Sequence, residues 1–198
     1  MPTDVRAVRR AVRRAVAASF LLYLALGLPD GVLGTVWPNL RDHFGRTDGA
    51  FGAIVFASAF GYGTGGLTAG RTGSRLGPAR VLPAATTLVV VALAGVAAAP
   101  AWWILVVAFG LVGFGWGVGD ATVNAWMALT QGHREMGLLH ASYGVGTFLG
   151  PLLATAFVAD GTAWRGPYVC LLYTSPSPRD GTKDLVCRLL LDKRGGGG

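Results

Sequence analysis

Long apolar runs alternate with short clusters of arginine along this chain. A helix needs about 20 apolar residues to cross a hydrocarbon core. Runs of that size lie at Val16 to about Leu40, Ala50–Ala69, Val81–Ala99, Ala101–Leu129 and Gly137–Ala159, with Pro100 separating the third from the fourth. They predict five complete spans. A sixth starts at Pro167 and is cut short near Tyr173, where Pro176 and Pro178 stop a helix. The expected fold is all-α integral membrane, with no sheet.

Composition agrees with the pattern. The 198 residues are 52% hydrophobic and 14% charged, with 31 glycines and a mean hydropathy of +0.50. Soluble domains carry about 25% charged residues, so a soluble enzyme, a nucleic-acid binder and a disordered chain all fit poorly. The net charge of +7 does not form one basic face, and no nucleic-acid partner is expected. It marks loops. Arg6, Arg9, Arg10, Arg13 and Arg14 precede the first span, Arg71, Arg75 and Arg80 follow the second, and Arg134 follows the fourth. Arg41, Arg46 and Arg165 fall on the other side. The excess predicts a multi-pass protein of the cell membrane with a cytoplasmic N-terminus. Residues 1–15 are then a basic cytoplasmic segment and 16–169 the helical bundle. Cys170 and Cys187 make neither a disulfide framework nor a zinc spacing, and neither metal nor organic cofactor is expected.

The stretch 170–198 reads differently. Cys170-Leu-Leu-Tyr-Thr-Ser-Pro-Ser-Pro-Arg-Asp180, a mixed polar run and Gly195–Gly198 resemble the translated read-through of a sequencing adaptor. The expectation is a non-native tail beginning where a sixth span belongs.

An internal repeat runs through the spans. Shifted by 90 positions, Gly27 falls on Gly117 and Asp30 on Asp120. Shifted by 81, Tyr62-Gly63-Thr64-Gly65 falls on Tyr143-Gly144-Val145-Gly146. A unit of three spans crosses the membrane an odd number of times, so its second copy is inverted. Inverted three-helix repeats are a signature of secondary transporters, and the major facilitator halves are the standing example of that nesting.

Asp30 and Asp120 are the first candidates for chemistry. A carboxylate within a span costs a few kcal/mol on insertion scales and persists where it faces a bundle interior or a wet cavity. Asp30 lies about 20 Å along its helix from Val16. Asn124 follows Asp120 by one helical turn and shares its face, an amide suited to a sugar hydroxyl or to another helix's backbone. Glycines at i, i+4 (Gly27/Gly31, Gly61/Gly65, Gly66/Gly70, Gly113/Gly117, Gly146/Gly150) predict close helix packing.

The stretch after the second span reads Gly66-Leu-Thr-Ala-Gly70-Arg71-Thr-Gly73-Ser-Arg75. It resembles the cytoplasmic loop motif of major facilitator superfamily transporters, G-x-L-x-D-R-x-G-x-[RK]. Gly66, Arg71, Gly73 and Arg75 match, while Gly70 stands in place of the usual Asp and Thr68 in place of Leu. In the fifth span, Gly146-x-x-x-Gly150-Pro151 resembles the family's antiporter motif without its closing Gly-Gly. His140-Ala-Ser-Tyr143-Gly144, Asp30, Asp120-x-x-x-Asn124 and Trp164-Arg165 resemble the fucose-permease-like branch. The resemblance covers about residues 16–169. It implies the N-terminal six-helix half of a twelve-helix permease, a secondary active transporter that moves a small solute such as a sugar, with a proton, by alternating access. Asp30, Asp120, Asn124, His140 and Tyr143 would serve proton coupling and substrate binding. The partners implied are the bilayer, the solute, the proton and a C-terminal half of the same protein.

Three rivals stay open, one of them a non-transporting scaffold of helices in which Asp30 and Asp120 could both be replaced without loss. An efflux antiporter of the same fold would use Trp37, Trp116 and Trp126 to stack on a drug as readily as on a sugar. Gly117-Val-Gly119-Asp120 also spells the G-x-G-D of intramembrane aspartyl proteases, with Asp30 as a second acid, although the partner motifs of those enzymes are absent. The expectation is a transporter and not an enzyme.

Overall fold

The computed structural model describes residues 5–159 and 164–174, all of them helical apart from short connections. The helices are α1 (Val5–His43), α2 (Phe51–Leu76), α3 (Pro78–Ala98), α4 (Trp102–Thr130), α5 (His133–Ala159) and α6 (Arg165–Thr174), with one 3₁₀ turn, Asp48–Ala50, before α2. Among the described residues, four helices are long and apolar enough to cross a membrane: α1 from Val12, α2 with its 3₁₀ turn, α3 and α4. Helix α5 has 27 residues, about 40 Å at 1.5 Å per residue.

α1 and α2 run further than their apolar runs. α1 continues through Pro29 and Pro38 without a break. The expected loop Arg71–Arg80 is not a loop. Gly66, Gly70, Arg71, Gly73 and Arg75 all lie on the last turns of α2. The connection to α3 is Gly77 alone, at φ 74°, ψ 151°, with Pro78 opening α3. That backbone conformation is essentially reserved for glycine, and proline suits the first helical turn because it has no N–H to leave unpaired.

The helices pack as α1 on α5, α2 on α4, and α3 against α4 and α6. Glycine makes the first two contacts possible. A Cβ on Gly27 would lie 2.3 Å from the Tyr143 carbonyl oxygen, and one on Gly146 2.1 Å from that of Leu24. Gly31 and Gly150 meet in the same seam, with Pro151 Cδ 2.8 Å from the place of a Gly31 Cβ. In the other seam Gly61 faces Gly110, Gly65 faces Phe114, Gly113 faces Ser58 and Gly117 faces Tyr62, each with a virtual Cβ within 2.3 Å of a backbone oxygen. Without a hydrophobic drive between helices in lipid, such backbone approach supplies the van der Waals contact that holds them together. Gly66/Gly70 does not join in, for a Cβ on Gly70 meets nothing and one on Gly66 only an oxygen at 4.0 Å.

Apolar clusters close both ends of the bundle. One gathers Val32, Val36, Leu40, Ile54, Val96, Leu105, Phe109 and Tyr168. The other gathers Tyr23, Val123, Met127 and Leu139. At the first end Arg165 donates from Nε to the Ala97 carbonyl at 2.9 Å and from Nη2 to that of Ala99 at 3.0 Å. Its guanidinium also stacks on Trp164 at 4.4 Å. The carbonyls at a helix C-terminus lack intrahelical partners, so this one side chain caps α3 and ties α6 to it.

Candidate functional site

Asp120 sits on α4, where the close Gly117 contact brings α2 alongside. The Tyr62 hydroxyl on α2 donates to its Oδ2 at 2.6 Å. The Tyr23 hydroxyl on α1 donates to its Oδ1, and the Asn124 side chain also reaches that hydroxyl. His140 of α5 packs edge-on to the Tyr23 ring at 5.8 Å. Asp30, on α1, receives a hydrogen bond at 2.7 Å from the Tyr143 hydroxyl on α5, and Thr147 Oγ1 bonds back to the Tyr143 carbonyl at 3.1 Å. The Tyr62 and Tyr143 rings lie near enough for each to feel both carboxylates. These residues make one polar layer between the two apolar clusters.

The layer is open. Asp30, His140 and Tyr62 are exposed, and Asp120, Asn124 and Tyr143 are half-buried. A shallow hollow of about 590 Å³ runs along α5 beside Tyr143, Gly144, Thr147, Phe148, Pro151 and Leu152. The polar side chains that line it are the Tyr143 phenol and the Thr147 hydroxyl, groups that both donate and accept, and the Tyr143 hydroxyl is itself bonded to Asp30. Among the described residues, no group of acids, histidines or cysteines is arranged to hold a metal ion.

The structure thus brings together Asp30, Asp120, Asn124, His140 and Tyr143. Sequence reasoning missed Tyr23 and Tyr62. The signal for Tyr62 was present, since the shift that pairs it with Tyr143 also pairs their hydrogen bonds. Trp37 is not at the site; it packs on Phe51 at 5.1 Å and Trp102 at 6.3 Å. Trp116 and Trp126 pack partly buried against the two apolar clusters. Arg71 and Arg75 are exposed, and no described acid pairs with either: the described salt bridges join Arg41 to Asp42 and to Asp48, each at 2.8 Å. An aspartyl-protease dyad needs two carboxylates sharing a proton. Here Asp30 accepts from Tyr143 and Asp120 from Tyr62 and Tyr23, and among the described residues no hydrogen bond joins the two carboxylates.

Comparison with known proteins gives the same family as the motifs. The family model described as Major Facilitator Superfamily matches residues 19–174. A glucose/mannose transporter, GlcP, of Bacillus subtilis (strain 168) is 26% identical over 154 residues, 77% of this chain and 38% of its own length. Bypass of stop codon protein 6 of Saccharomyces cerevisiae is 28% identical over 155 residues, 76% of this chain and 31% of its own length. The chain therefore spans about a third of the length of these curated relatives.

Proposed function

The chain belongs to the Major Facilitator Superfamily, and from that premise we propose that it forms the N-terminal half of a proton-coupled permease for a small polar solute, a sugar being the first candidate. One observation carries the reading. Two carboxylates, within the apolar stretches of α1 and α4, accept hydrogen bonds from three tyrosine hydroxyls in one open layer flanked by apolar clusters. Such acids are expensive within a bilayer and mark transport pathways and proton relays. Midplane sites at the interface between repeats are the general design of these carriers.

On this reading Asp30 exchanges the proton, and Asp120 with Asn124 holds substrate hydroxyls. Protonation removes a charge, so the carrier can reorient without dragging it through a low-dielectric core. The N-terminus is cytoplasmic, Arg71 and Arg75 lie at the cytoplasmic face, and α5 and α6 complete the six-helix half. The sugar named for the Bacillus relative supports the substrate class. The likeness of His140, Tyr143 and Asp120-x-x-x-Asn124 to the fucose-permease-like branch supports the same class from the residues.

The test uses the complete carrier in vesicles, with proton-driven accumulation measured beside substrate counterflow. Asp30→Asn is expected to abolish accumulation and leave counterflow. Asp120→Asn is expected to weaken both. Wild-type accumulation in the double variant would overturn the proposal.

A further inference from the structure

The two tyrosine–aspartate bonds are copies of each other. Tyr62 and Tyr143 are related by the 81-residue shift, and Asp120 and Asp30 by the 90-residue shift. Each bond therefore joins the second helix of one repeat to the first helix of the other, through a seam where glycine brings backbone against backbone. The copy is then broken at two positions. Tyr23 gives Asp120 a second phenol, but the position related to it is Gly113. Gly113 lies against α2 with no room for a side chain, since its Cβ would fall 2.0 Å from the Ser58 carbonyl oxygen. Asn124 lies beside Tyr23, but the position related to it is Gly34, with open space where a Cβ would stand. Among the described residues Asp30 is thus left with one hydroxyl donor, Tyr143, and is exposed, while Asp120 has two and is half-buried.

We propose that Tyr62 and Tyr143 are a repeat-related pair of positioning residues, and that Tyr23, present on one side only, makes Asp120 the anchored acid and Asp30 the exchangeable one. This assignment rests on the permease reading for its use but not for its geometry. Hydrogen bonds to an ionised acceptor are the strong ones, and two of them hold both oxygens of Asp120 in place. One bond leaves the second oxygen of Asp30 to solvent, to a proton or to a solute. Tyr62 and Tyr143 would do more than fill space, because a phenylalanine keeps the ring and loses only the bond.

The experiment measures modification of each aspartate by an apolar carbodiimide, read by peptide mass spectrometry on the 198-residue chain in lipid vesicles. Asp30 is expected to react about tenfold faster than Asp120, the factor that the loss of a single charge-assisted hydrogen bond readily supplies. Tyr23→Phe, which leaves one phenol on each acid, should bring Asp120 close to the rate of Asp30; adding Tyr62→Phe should raise it further, and Tyr143→Phe should leave Asp120 unchanged. Equal rates in the unaltered chain, a comparison that needs no variant to fold, would overturn the proposal. So would an Asp120 rate that the double variant does not move. The permease reading fails separately. If it alone is wrong, this order of reactivity stands while Asp30→Asn and Asp120→Asn leave transport by the complete carrier untouched.

Discussion

Glycines of α2 and α4 show how differently the same residue is used. Gly65 of α2 and Gly117 of α4 sit in a seam where a methyl group would press on backbone atoms, Gly117 against the Tyr62 carbonyl at 2.1 Å and the Gly66 nitrogen at 3.0 Å. Backbone cannot swing aside as a flexible side chain can, so the two helices must part. Gly117→Ala should cost about 1–3 kcal/mol, the usual range for overpacking, and should shift Tyr62 off Asp120. Gly70, also on α2, faces open space and matters only as a weak helix former. Gly70→Ala should leave stability unchanged or raise it by about 1 kcal/mol. Thermal unfolding of both variants in detergent checks the pair, and an equal effect would show that the seam is not held by close approach. The motif spacing alone did not separate these cases, because Gly66/Gly70 has the same i, i+4 step as Gly113/Gly117. What separates them is which face of α2 meets α4, a tertiary fact. Tyr62 was legible from the repeat, once Tyr143 was taken as a site residue. Tyr23 was not, for its related position is a glycine and no shift in register points to it.

At the level of helices, four of the five expected complete spans are long and apolar enough to cross a membrane, and the clearest departure is the end of the second. The second apolar run stops near Ala69, yet α2 continues to Leu76 through Arg71, Gly73 and Arg75. Helical hydrogen bonds are satisfied within the helix whether or not its side chains are apolar, so a helix outlasts the span that hydropathy marks. It ends at Gly77, where the chain takes a conformation other residues avoid. The expected topology can be tested at that end. Ser74 is exposed on the last turns of α2, and on the positive-inside reading it faces the cytoplasm. With Cys170 and Cys187 replaced, Ser74→Cys should resist an impermeant thiol reagent outside intact cells and react once the membrane is opened. Labelling from outside would reverse the orientation. The opposite end has its own device. Arg165→Ala removes the two bonds to the Ala97 and Ala99 carbonyls and the stacking on Trp164. A charged donor to an acceptor is worth about 1.5–3 kcal/mol in partly buried settings. Arg165→Ala should therefore lower the unfolding midpoint and speed hydrogen exchange at the last turn of α3, while Arg165→Lys, a point charge without the planar fork, should restore only part. Unchanged exchange in Arg165→Ala would remove the capping role.

Among the described residues, α2 and α5 each expose a row of large apolar side chains. On α2, Phe56, Phe60 and Leu67 are 71%, 63% and 77% exposed; on α5, Phe148 and Leu152 are 70% and 58% exposed. Both helices also carry the site tyrosines, so the apolar faces flank the open side of the polar layer. The matched relatives are far longer than this chain. On the permease reading, the remainder of such a carrier covers these faces and supplies the other wall of the substrate site. Alternating access rocks one half against the other around a fixed midplane site, and a single half has nothing to rock against. The 198-residue chain, reconstituted alone, should therefore show no saturable, gradient-driven uptake of glucose, mannose or fucose. Co-reconstitution with the rest of the reading frame should restore it. Replacing Phe60 and Phe148 together by serine should block that restoration while leaving the chain folded, since both side chains are exposed and contribute little to the core. Saturable uptake by the chain alone, with cross-linking showing a monomer, would mean that one half suffices. The same uptake from a dimer joined through α2 and α5 would locate the interface where it is expected and assign the second wall to a second copy.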